Sequence, residues 1–338
     1  MRLRLLPSDR LSIRRRRAGR GFTYCDAEGR RVEDAATLAR IRSLAIPPAW
    51  TEVRIAAPAN AHLQAVGRDA AGRLQYRYHP DWTGVRERHK TARLARILEA
   101  LPQLRAAVAR DLAKGGTGRA AALACAVALM DESHIRVGND CYARRSGGRG
   151  TATLLKSDAE IGRERVALSF FGKGGKRLCG EVRNRRLAAA LARLAALKGR
   201  RLLQWREEGG RPRPIRAAEV NAYLHAIAGV GLSAKDFRML GANVIAAGLL
   251  AAETPGPSAA ARKRQFDAAV RAVADRLGNT PAVVRKSYVQ ACVRDAFEAG
   301  DLALAVRRAR AGSRRSRIEN ALRRILDEQA LDGAAAPP

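Results

Sequence analysis

Near His89 the hydrophobic pattern changes period, and that change limits what the chain can fold into. Before it, short alternating runs are separated by turn residues. The stretches GFTYCDAEGRRV and GRDAAGRLQYRYH read as hairpins turning at Glu28-Gly29 and Ala71-Gly72, and WTEVRIAA reads as a strand. One short helix is expected at about 34–44, ahead of Ile46-Pro47-Pro48. After His89 the apolar residues recur at helical spacing in TARLARILEALPQLRAAVARDLA, RAAALACAVALMDESHI, RNRRLAAALARLAAL and SAKDFRMLGANVIAAGLLAA. One β-hairpin, RVALSFFGKGGKRLCGEV, interrupts them with GKGGK at its tip. The expected fold class is α+β, with a small β-rich N-terminal domain (21–88) and a larger, mainly helical domain (89–330). Residues 331–338 are expected as a tail. A length of 338 residues suits two domains.

Three helix starts are written in the sequence. Ser233 stands three residues before Asp236, and Thr280-Pro281 offers an N-cap followed by proline at the first helical position. SRIENALRRILDEQALDG is expected to open on a Ser316–Glu319 capping box and close at Gly333. The run Arg14-Arg15-Arg16-Arg17 is a like-charge block, which predicts a flexible basic arm over residues 1–20.

The net charge is +32, from 64 basic and 32 acidic residues. Such an excess repels itself and implies a polyanionic partner: nucleic acid first, an anionic membrane surface second. No run of 18 apolar residues could span a bilayer, and no apolar signal segment follows the first arginines. The five cysteines are scattered without a CxxC, so a reduced cytoplasmic protein with no structural metal is expected.

Against this basic background a few residues stand in unusual contexts. Arg136 ends an apolar helix in HIRVGND, where it either pairs with Asp131 or Glu132 or is positioned for a ligand. Lys173 is one of only nine lysines and rides the glycine-rich hairpin tip. It is an ordinary turn charge, or a group that can give up its proton beside phosphate. Lys235 and Arg238 share a face in the first turns of a helix, either a solvated face or a phosphate site. Tyr76 and Tyr78 alternate with Gln75 and Arg77 along a strand, as a packed pair or as a nucleic-acid contact. Tyr288 closes LGNTPAVVRKSY among cations. A tyrosine attacking a phosphodiester needs donors on the nonbridging oxygens and an acid for the leaving sugar oxygen. Arg136, Lys173, Arg238 and Asn279 could supply them.

The ordered set IPPAW, GRDAAGRLQYRYHPDW, IRVGND-x-YA, FFGKGGK, VNAYL, SAKDFR and LGNTPAVVRKSY resembles type IB DNA topoisomerases of the poxvirus-like and bacterial kind, from about residue 20 to 295. The resemblance implies relaxation of supercoiled duplex DNA without metal or ATP, by a monomer associated with the nucleoid. It implies Tyr288 as the nucleophile forming a 3′-phosphotyrosyl bond. Arg136 and Arg238 would clamp the scissile phosphate, Lys173 would protonate the leaving 5′ oxygen, and Lys235 would add a phosphate contact. Gln75, Tyr76 and Tyr78 would enter the major groove. The two domains would form a C-shaped clamp hinged near residues 83–92. Asn279 stands where poxvirus enzymes carry histidine, and Met239-Leu240 replaces the usual aromatic after KDFR. A tyrosine recombinase shares the chemistry, but Lys235-Asp236-Phe237 precedes the second arginine instead of a His-x-x-Arg arrangement. A noncatalytic DNA-compacting protein would also fit the charge.

Overall fold

The computed structural model describes residues 3–229, 231–310 and 312–335, with side chains to Glu328. The chain divides into two compact units after His89.

The first unit is built on a five-stranded antiparallel sheet. Its strands are β1 (Ile13–Ala18), β2 (Gly21–Cys25), β3 (Thr51–Ile55), β4 (Leu63–Arg68) and β5 (Leu74–Tyr78), in the order β2-β1-β3-β4-β5. Helix α1 (Ala35–Ser43), capped by Asp34 through the Thr37 N–H, contributes Ile41 to a cluster with Ile13, Val53, Ile55 and Ala65. Leu6, Leu11, Ala56, Ala61, Leu63 and Val66 form a second cluster.

The arginine run is therefore not a flexible arm. Arg14 to Arg17 lie in β1, paired with β2 over their whole length. Alternation sends successive arginines to opposite faces, and one face holds Arg15 firmly. Its guanidinium donates to the carbonyls of Pro47 (3.2 Å) and Trp50 (2.5 Å) and stacks 4.0 Å over the Phe22 ring. The turn at Gly29 forms, but the long partner of β2 is β1; past the turn only a Cys25–Arg31 bridge remains. The β4–β5 hairpin turns at Gly72, whose φ of 71° suits glycine, with Asp69 accepting the N–H groups of Ala71 and Arg73.

Helix α2 (Trp82–Ala113) runs without a break through residues 83–92, where a hinge was expected. The composition shift there marks a change of neighbours, not an end of helix.

The second unit continues with α3 (Arg119–Ser133), α4 (Asp140–Ser146), the three-stranded sheet β6 (Ala159–Ile161), β7 (Arg165–Phe171) and β8 (Arg177–Arg183), and α5 (Arg185–Ala195). A short pair, β9 (Gln204–Trp205) and β10 (Arg213–Pro214), precedes α6 (Ala217–Ala228), α7 (Ala234–Leu250), α8 (Ala259–Leu277), α9 (Pro281–Ser287), α10 (Ala291–Glu298), α11 (Asp301–Arg308) and α12 (Arg314–Ala335). Helices α3 and α7 are buried along most of their length and form the centre of one large core. A helix apolar all round belongs there.

Helix α12 starts earlier than expected. Ser313 accepts the Ser316 N–H at 3.1 Å, so Ser316 is not the cap. Glu319 instead accepts from Arg105 at 2.7 Å and Arg315 at 2.8 Å, and the Asp131 carboxylate takes the same two arginines. This buried ion cluster ties α12 to α2 and α3. The helix continues through Gly333 to Ala335, so Gly333 does not end it; the rest of the expected tail, 336–338, lies outside the described residues. Among the described residues, no helix is long and apolar enough to cross a membrane.

Candidate active site

The second unit contains a cavity of about 340 Å³ lined by Arg136, Tyr142, Arg149, Lys173, Lys235, Arg238 and Tyr288, among others. Five of the lining residues are cations and none is a carboxylate. Arg149 is neutralised by Asp158 at 2.7 Å. Among the described residues, none of the other four has a carboxylate partner.

Arg136 follows the end of α3. His134 closes that helix in the left-handed region (φ 56°), its N–H bonded to the Met130 carbonyl. The chain then runs extended beside 150–152, with Thr151 and Ala152 donating to the Arg136 and Val137 carbonyls. Two glycines allow this approach. Gly138 has φ 79°, and a Cβ on Gly150 would collide with the Arg136 carbonyl oxygen. Asp131 and Glu132 both pair with Arg315, so the alternative salt bridge to Arg136 does not form. Arg136 donates to Asn279 Oδ1 at 2.5 Å instead.

That bond fixes the Asn279 amide. A guanidinium has donors only, so the oxygen must face Arg136, and Nδ2 is turned elsewhere. Asn279 is 8% exposed and its Nδ2 has no partner. The turn holding it follows Gly278, the left-handed cap of α8 (φ 60°), and packs on Leu178 of β8.

Arg238 is 3% exposed. Its guanidinium donates to the His134 carbonyl at 2.9 Å and the Leu277 carbonyl at 2.7 Å. These oxygens terminate α3 and α8, the negative ends of two helices, which is how a cation is held here without a carboxylate. Burial, and secondly the charge of Arg136, lower its pKa to about 10, against an opposing pull from Tyr288. Arg238 stays charged at neutral pH, but as a cation short of an anion. It lies 5.7 Å from the centroid of the Tyr288 ring.

Tyr288 caps α9. Thr280 and Pro281 open that helix as the sequence predicts, with the Val283 N–H on Thr280 Oγ1 at 3.4 Å. Of the two cations next to Tyr288 in sequence, Arg285 binds Asp267 at 2.6 Å, and the backbone carbonyl of Lys286 accepts from Lys90 at 2.6 Å. The arginines near the tyrosine come from α7 and from the loop after α3.

Sequence reasoning missed the group that fixes the tyrosine backbone. Asn243, fully buried on α7, donates to the Tyr288 carbonyl at 2.9 Å and accepts the Gln290 N–H at 2.8 Å. Gln290 Nε2 donates to the same Tyr288 carbonyl at 3.1 Å. One helix thus carries both Arg238 and the clamp on Tyr288. A lone amide inside MLGANVIAAGLL was the available signal.

Lys173 sits at the tip of β7–β8, where Gly174 and Gly175 have φ of 79° and 71°. Gly148 packs against the backbone of Gly172 and Lys173, and the Arg149 N–H donates to the Phe171 carbonyl at 2.7 Å. Lys176 reaches the Asn279 carbonyl at 3.4 Å. Lys235 is exposed on the first turn of α7, below a cap in which Asp236 accepts from Ser233 and takes Arg93 bidentately at 2.9 Å.

Gln75, Tyr76 and Tyr78 belong to the first unit. Tyr76 and Tyr78 are 43% and 44% exposed and stack at 6.2 Å, while Gln75 points to the other face and donates to Asp69. Among the described residues, no group of three or more metal-ligating side chains occurs.

Residues 21–69 match the family described as bacterial DNA topoisomerase IB, N-terminal domain, and residues 79–299 match the eukaryotic DNA topoisomerase I catalytic core. A DNA topoisomerase 1B of Acanthamoeba polyphaga mimivirus is 31% identical over 284 residues, covering 82% of this chain and 84% of the relative. With the catalytic-core match extending over more than half of its length, the chain belongs to the type IB DNA topoisomerase family.

Proposed function

We propose that this topoisomerase relaxes supercoiled duplex DNA through a covalent intermediate at Tyr288. The phenolic oxygen attacks the scissile phosphorus, its proton passing to water, and the P–O5′ bond breaks. The products are a 3′-phosphotyrosyl bond and a 5′-hydroxyl, with Lys173 giving the leaving oxygen its proton. The free end swivels, and the 5′-hydroxyl attacks back, releasing Tyr288. The number of phosphodiester bonds is unchanged, so the cycle needs no nucleotide energy.

The observation that carries this reading is a tyrosine in a cavity lined by five cations, four of them without a carboxylate partner among the described residues, and by no carboxylate. Arg136 and Arg238 would bind the nonbridging oxygens, whose charge grows in the transition state. Asn279 Nδ2, buried and unpartnered, is a further donor of the right kind. Lys235 would hold a neighbouring phosphate. Tyr76 and Tyr78, with Gln75 behind them, would meet the duplex; two exposed stacked rings are otherwise costly to leave in water.

The test is relaxation of negatively supercoiled plasmid in EDTA without ATP. The parent should relax it, and Tyr288→Phe should not while still binding duplex DNA. Relaxation by Tyr288→Phe would refute the assignment.

A further inference from the structure

We propose that the arginines of β1 form a second DNA-contact row on the sheet face, with Arg14 and Arg16 binding the sugar-phosphate strand beside the groove that receives β5. The proposal rests on the reading that Tyr76 and Tyr78 face duplex DNA.

The register places these residues on one face. Arg14 pairs with Arg54, Arg54 with Val66, and Val66 with Tyr76, across β1, β3, β4 and β5. Directly opposed residues project to the same side of a sheet. Arg14, Arg16 and Arg54 therefore share the face of Tyr76, and Arg68 joins it opposite Leu74. Arg15 belongs to the other face, with Ile13, Ile55 and Ala65, where carbonyls and a ring hold it. The four-arginine run is thus two kinds of residue interleaved.

Charge and spacing point to a duplex. Arg14 and Arg16 are exposed, and neither has an ion-pair partner among the described residues; nor does Arg54. Only Arg68 on this face is paired, with Glu52 at 2.9 Å. β1 and β5 are three strand steps apart, about 14 Å at the usual strand spacing. The major groove is about 12 Å wide. If aromatic residues of β5 lie in the groove, the arginine end of the face falls beyond its rim, where a phosphate strand runs.

The test is full-length protein carrying Tyr288→Phe to prevent cleavage, binding a labelled 30-base-pair duplex at a series of KCl concentrations. Each lost phosphate contact lowers the slope of log Kd against log salt by about 0.9, so Arg14→Gln with Arg16→Gln should lower it by about 1.8. Arg14→Lys with Arg16→Lys should keep the parental slope, which separates lost charge from lost folding. Arg15→Gln should leave the slope unchanged and lower the melting temperature. A double-Gln slope equal to the parent's, while Tyr76→Ala with Tyr78→Ala weakens binding, would overturn this proposal alone. Unchanged binding by the double-tyrosine variant would overturn the DNA-facing reading and this proposal with it.

Discussion

Replacing Asn243 by alanine removes three hydrogen bonds: those donated to the Met239 and Tyr288 carbonyls, and that accepted from the Gln290 N–H. The site is fully buried, so no water replaces them. At about 1 kcal/mol net per bond, with about 1–3 kcal/mol for a buried donor left unmade, the loss is about 3–5 kcal/mol. For a domain of this size that corresponds to a melting temperature lower by about 10 °C. The Tyr288 backbone would retain Gln290 Nε2, a single bond from a residue that has itself lost its anchor. Displacement of a reacting group by about 1 Å costs on the order of 100-fold in rate. The assay is single-turnover cleavage of a short duplex well below the variant's melting point, beside a thermal melt. Cleavage should be slower by about that factor. A lower melting temperature with parental cleavage would show that Asn243 holds the fold and not the nucleophile; parental values for both would refute the argument entirely.

Other outcomes follow from the same contacts. Gly150→Ala should shift the Arg136 loop and reduce cleavage far more than it reduces DNA binding, measured by the same assay and by anisotropy. Asp131 is raised by burial but lowered more by the Arg105 hydrogen bond and the charges of Arg315 and Arg105, so its net pKa is below the ordinary value. Its stabilisation is therefore present above the unfolded pKa of about 3.9 and lost as pH falls through the folded value. Asp131→Asn should melt lower at neutral pH and show a flatter acid limb below about pH 4 in thermal scans. Burial pushes the Cys125 and Cys292 thiols up to about 12, whereas Cys141 and Cys179 are exposed. Mass spectrometry after brief alkylation of the native protein should find Cys141 and Cys179 labelled and Cys125 and Cys292 spared.

Local signals in the sequence were readable where local chemistry decides. Thr280-Pro281 opens α9, Asp236 caps Ser233, and glycines turn the β7–β8 tip, because each involves residues within one turn. Misreadings occurred where distant partners decide. Four consecutive arginines read as a repelling arm because nothing nearby could absorb them. The carbonyls that hold Arg15 lie about thirty residues away, from Ile46 to Trp50. Glu319 looked like a capping residue, but its partners include Arg105, far along the chain on α2. The cavity shows the same division. The types needed for phosphate chemistry were visible one by one at Arg136, Lys173, Arg238 and Tyr288. That two helix C-termini hold Arg238, and that Arg136 orients Asn279, depends on contacts that no spacing encodes.

The central claim is that the phenolic oxygen of Tyr288 carries the broken strand. Its most direct test is to stop a reaction on duplex DNA with SDS, digest the covalent complex with trypsin, and sequence the DNA-linked peptide by mass spectrometry. The account predicts a nucleotide joined through its 3′ phosphate to Tyr288, with a free 5′-hydroxyl on the other fragment. Linkage to any other residue, or a 5′-phosphate attachment, would contradict it.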